Sequence, residues 1–136
     1  MKAPGSVWNP DPEAGMWLAR DREGYEGRTG YVEETAGAYY AARLAVLEYL
    51  DSIDRQAKAL VLRHVSDDYW GPVGVWQVRE AIRHAFYGDH AESETFDDAV
   101  AGIAEQLPVS RGDLRRKSTL AAGRQTGLDA FGGSPD

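Results

Sequence analysis

Apolar and polar positions divide the chain into an unpatterned start and a series of helical runs. From about 35 to 53 alanine is abundant, and Tyr40, Leu44, Leu47 and Leu50 recur at i, i+4, i+7 and i+10. Tyr39, Val46, Tyr49 and Ile53 widen that stripe until most of the circumference is apolar, which predicts a central helix. Arg43 falls within the apolar sector, where an unpartnered charge is costly. It implies a structural ion pair or a snorkelling stem, or else an anion held in a cleft. The run 59–65 (Ala59, Leu60, Val61, Leu62, Arg63, His64, Val65) is short and aliphatic. Periodicity does not separate a buried strand from continued helix there, and we expect a strand.

Ser66 to Pro72 reads as a loop carrying Tyr69 and Trp70, followed by a helix over about 73–87. Its apolar face is Val75, Val78, Ile82, Ala85 and Phe86, flanked by Trp76, Arg79, Arg83 and Tyr87. Thr95 with Asp98, then Ser110 with Asp113, are capping-box patterns that open helices over about 95–107 and 110–122, stopped by Pro108 and Gly123. The expected fold is α+β and mainly helical. Before it, residues 1–34 are broken by Pro4, Pro10, Pro12 and five glycines, yet carry Trp8, Met16, Trp17, Leu18 and Tyr25. That is too apolar for a solvated linker. We expect an irregular arm over 1–34, a compact domain over 35–122 and a flexible tail over 123–136.

Composition narrows the function classes. The 136 residues make one domain's worth of chain, and four Trp, seven Tyr and three Phe supply core material. Without cysteine there is no disulfide, zinc thiolate or cysteine nucleophile. No apolar run approaches the roughly 20 residues of a membrane span, and the start lacks an apolar signal segment, so a cytoplasmic location is expected. The net charge is -7, and only three of the fifteen bases are lysine. Excess carboxylate with scarce lysine suits a salt-rich, halophilic cytoplasm, and a GC-rich genome gives the same arginine bias. Charge is uneven: residues 111–136 carry five bases and three acids.

His84, Asp89, His90, Glu92 and Glu94 gather potential ligands, but no spacing among them matches a metal motif, and a solvated acidic loop is the simpler reading. There is no Gly-rich phosphate loop, and adjacent carboxylates such as Asp97 and Asp98 suit helix starts better than acid–base work. No catalytic constellation is identified, and no cofactor is indicated. Nucleic-acid contact is better supported. Arg79 and Arg83 stand one turn apart beside Trp76 and Tyr87, and Arg115, Arg116 and Lys117 lie on a basic helix. The bland alternative pairs Glu80 with Arg83 or His84 and puts Trp76 in the core. A charge of -7 argues against a strong independent DNA binder.

In the tail, Gln125, Leu128 and Phe131 follow the spacing Gln, aliphatic at +3, aromatic at +6. This is similar to the motif by which replication and repair proteins bind the sliding clamp PCNA. In one tight turn over Thr126 to Phe131, side chains three apart nearly eclipse. Leu128 and Phe131 then form an apolar plug, with Gln125 free to hydrogen bond and Thr126 and Asp129 forming the turn. The usual second aromatic is replaced by Gly132, which lowers the expected affinity.

Taken together, 25–35 (YEGRTGYVEET), 39–50 (YYAARLAVLEYL), 55–65 (RQAKALVLRHV), 69–86 (YWGPVGVWQVREAIRHAF) and 124–131 resemble the carboxy-terminal part of the archaeal Nre family of DNA repair proteins. The resemblance implies a role in repairing DNA damage, with a clamp-binding motif at the carboxy terminus. Family members carry a large amino-terminal domain that this sequence lacks, so a separate Nre amino-terminal domain is an implied partner. Two other readings stand beside recruitment to the clamp. One is a subunit of a nucleic-acid-acting enzyme, with Arg43, Arg79, Arg83 and His84 lining a cleft that a missing domain completes. The other is an assembly domain whose Trp8, Trp17 and Trp70 surface seats the absent half.

Overall fold

The computed structural model describes residues 1–69 and 74–123. It is mainly helical: α1 (Gly37–Ser52), α2 (Val75–Ala85), α3 (Phe96–Ala104) and α4 (Arg111–Lys117). Two compact units divide at His90, the first being Met1–His90 and the second beginning at Ala91. None of the four helices is long and apolar enough to cross a membrane among the described residues.

In the first unit α1 and α2 lie side by side and point the same way. A Cβ at Gly37, the first residue of α1, would stand 2.8 Å from Val75 Cγ2 at the start of α2. Near the other ends, the rings of Tyr49 and Phe86 stack. Parallel neighbours need a connection that returns the full helix length, about 24 Å for sixteen residues. That return explains the run 59–65. It forms no named strand; pairing is confined to its end, where Val65 bridges Lys2. The Met1 ammonium donates to the Arg63 carbonyl at 2.8 Å, and Val65 N–H donates to Met1 O and Ala3 N–H to Val65 O, both at 2.9 Å. The expected strand is thus a three-bond parallel ladder to the chain start. Across the described residues, β pairing consists of isolated bridges.

The expected central apolar helix is also corrected. On α1 only Ala41 and Ala45 are buried, whereas Leu44 and Leu47 are 44% and 51% exposed. Alanines facing α2 allow close approach, and that orientation turns the leucine stripe outward. From α2, Val78 is buried.

Residues 1–34 fold onto this unit. The Asp21 carboxylate accepts the N–H groups of Glu33, Glu34 and Thr35 and the Thr35 hydroxyl, at 3.2, 3.1, 2.8 and 2.6 Å. Tyr31 packs against Tyr40, with centroids 5.1 Å apart. α1 ends where Asp54 takes a positive φ of 51°, a conformation Asp tolerates better than most residues.

In the second unit Thr95 caps α3 and Ser110 caps α4 with a reciprocal capping box through Asp113. Val100, Ala104, Val109, Leu114 and Ala121 make its buried core. α3 is shorter than the expected 95–107. α4 stops at Lys117 because Ser118 is extended and starts a new turn: its carbonyl accepts from Ala122 N–H at 3.0 Å. Gly123, at a φ of 72°, closes that turn.

Candidate functional site

The α2 ridge exists, and its cations are already neutralised. Arg83 donates to both carboxylate oxygens of Glu48 on α1 at 2.8 and 2.7 Å, and to Glu80 at 2.6 Å. These hydrogen bonds, first to Glu48 and then to Glu80, raise the affinity of Arg83 for its proton. Reciprocally, the Arg83 hydrogen bond holds the Glu48 carboxyl below its usual range. Arg79 Nε lies 3.9 Å from Glu80, an ion-pair distance without a hydrogen bond. The rings stay open: Trp76 is 67% and Tyr87 84% exposed, so Trp76 is not core.

On α4 the pairing is partial, with three arginines meeting two carboxylates. Arg111 and Arg115 share Asp97 of α3, and Arg116 pairs with Asp113. Hydrogen bonding from Arg111 lowers the Asp97 pKa, and bonding from Ser110 lowers that of Asp113. Lys117 also has a partner. An anion reaching Arg83 competes with Glu48 and Glu80 for its donors.

Arg43 is in a structural ion pair, with Nε 3.0 Å from Glu23. Burial, and then a hydrogen bond to Glu23, push the Tyr39 hydroxyl up to about 12. His84, Asp89, His90, Glu92 and Glu94 are exposed, and among the described residues no three such side chains assemble a metal site. Gln125, Thr126, Leu128, Asp129 and Phe131, and also Trp70, lie outside the described residues.

Sequence reasoning missed one cluster. Lys2 Nζ lies 3.7 Å from the ring centroid of Trp17 and 5.9 Å from that of Trp8, and both indoles are nearly half exposed. Burial first, then the Lys2 and Arg63 charges, lower the Met1 ammonium pKa to about 6. The sequence holds no motif for this cluster, since Lys2, Trp8 and Trp17 share only a Gly- and Pro-rich segment and Arg63 lies far along the chain.

The described residues define a small, mainly helical module whose helix arginines are tied to its own acids. A family model described as archaeal Nre, C-terminal, matches residues 23–131, and the chain belongs to that family. It is 74% identical over 131 residues to the DNA repair protein NreA of Haloferax volcanii, covering 96% of this chain and 31% of that protein. To the DNA repair protein NreB of Archaeoglobus fulgidus it is 39% identical over 129 residues, covering 94% and 32%. To NreA of the same organism it is 34% identical over 128 residues, covering 94% and 30%. The chain therefore spans about a third of the length of these curated relatives. No solved structure matches it.

Proposed function

We propose that this chain is a DNA repair factor, or a truncated form of one, recruited to the PCNA sliding clamp by Gln125, Thr126, Leu128, Asp129 and Phe131. The observation that carries the repair role is the 74% identity over 131 residues to a protein named for DNA repair. The clamp contact rests on the residue spacing, and the family match reaches residue 131. A short segment that orders on binding gives modest affinity, so micromolar binding, about 8 kcal/mol, is expected. The acid-rich, lysine-poor composition supports work in a salt-rich cytoplasm. Titration of the cognate clamp with the wild-type chain and Phe131→Ala, in high salt, tests the tether: saturable binding lost in the variant supports it, and equal binding by both sinks it.

A second reading is favoured by α1. An exposed stripe of Leu44 and Leu47 on a helix that packs inward through alanines suits a seat for another domain, such as the remainder of an Nre-length protein. It stands beside the surface expected at Trp8, Trp17 and Trp70, of which Trp8 and Trp17 are 47% and 45% exposed. Co-purification of the remaining two thirds of a relative with the wild type but not with Leu47→Asp would support it.

A further inference from the structure

We propose that Trp8, Trp17, Lys2 and Arg63 form a binding site for single-stranded nucleic acid, with the indoles as stacking faces and the two cations as phosphate contacts. The site goes beyond recruitment by the tail and does not depend on it.

The geometry is that of two isolated bridges meeting at Lys2. Lys2 N–H donates to Trp17 O at 2.9 Å and Trp17 N–H to Lys2 O at 3.0 Å, while Lys2 also bridges Val65 in parallel register. Directly paired residues project to one face of such pairing, and residues two apart on an extended strand share that face. Trp17, Lys2 and Val65 therefore share a face, and Arg63, two residues before Val65, joins it. Between Lys2 and Trp17 the loop is held by Asn9, whose Nδ2 donates to the carbonyls of Lys2 and Gly15 at 3.1 and 3.0 Å. This fixes Trp8 beside the lysine before any ligand arrives, limiting the ordering cost of binding.

Charge separates the cluster from the helices, and the neighbouring indoles separate it from Arg20, Arg55 and Lys58, which also make no ion pair among the described residues. Arg43, Arg79, Arg83, Arg111, Arg115 and Arg116 each have a carboxylate partner. Lys2 and Arg63 make no ion pair among the described residues. Burial and then the Arg63 charge weaken the Lys2 ammonium, with Glu34 acting in the opposite sense. A protein of net charge -7 thus keeps like charges together beside two open indoles. An acidic peptide would use the charges but not the rings, and duplex DNA hides its base faces. A single strand offers phosphates and unstacked bases together.

The test is fluorescence anisotropy of the full chain with labelled dT20 and rU20, over a salt series, with tryptophan quenching as a second readout. The expected result is saturable binding to one or both strands, with quenching. Trp8→Ala weakens it about tenfold, and Lys2→Gln and Arg63→Gln each lower the log–log salt slope by about 0.7. The charge-matched control Arg55→Gln leaves the slope unchanged. If Trp8→Ala fails to fold, the salt slopes of the two Gln variants decide. The proposal is overturned if neither strand binds, if blunt duplex or poly-Glu peptide binds as tightly, or if both Gln variants keep the wild-type slope. The clamp takes no part in this assay, so its failure leaves recruitment by the tail untouched.

Discussion

Tyr49 and Phe86 lie face to face, their ring centroids 4.1 Å apart and their planes 9° from parallel. The stack joins the ends of α1 and α2 in a unit where only small side chains of α1 are buried. Both rings are half-buried, so Phe86→Ala should cost about 1–2 kcal/mol, less than the 3–5 of a fully buried aromatic. Urea unfolding measures it, and Phe86→Leu should recover part of the loss. A midpoint unmoved by Phe86→Ala would show that the stack holds nothing.

Gly37→Ala should destabilise although alanine is the better helix former. The new methyl would stand 2.8 Å from Val75 Cγ2, and a β-branched side chain in a helix has one strongly preferred χ1 rotamer, so turning aside is costly. A loss of about 1 kcal/mol is expected. Val75→Ala in the same chain should restore it, and a double-mutant cycle in urea reads the coupling.

Asp21 joins the arm to the approach to α1 through a carboxylate that accepts three N–H groups and a hydroxyl. Its pKa is lowered against an opposing contribution from burial by the Thr35 hydroxyl and then the three backbone donors. Its stabilisation is present above the ordinary carboxylate pKa and is lost as pH falls through the lower folded value. Asp21→Ala should cost about 1–2 kcal/mol at neutral pH and flatten the acid limb of a stability profile. Loss of amide protection at 33–35 in hydrogen exchange would locate the effect.

Local chemistry was readable and long-range orientation was not. Thr95 with Asp98 and Ser110 with Asp113 announced their helices because a cap needs partners only three residues apart. The Glu80–Arg83 pair was readable for the same reason, whereas Glu48 reaches Arg83 across thirty-five positions. Periodicity found α1 but not its inward side, since a helix apolar on two faces does not say which one meets its neighbour. Ala41 and Ala45 won because small residues let α2 come close. The aliphatic run before Val65 read as a strand because it is short and aliphatic, whereas only its end pairs, Val65 with Lys2. Lys2, Trp17 and Arg63 are brought together only by backbone pairing between distant segments, which leaves no motif in the sequence.

The outward leucines of α1 have a consequence for the behaviour of the pure protein in bulk. Strongly excluded salts such as sulfate favour any contact that hides apolar surface, whereas guanidinium weakens it. Leu44 and Leu47 should therefore make the solubility of this acidic chain depend on which salt is used as well as how much. Sulfate should promote clustering of copies at a concentration where chloride of equal ionic strength leaves them dispersed.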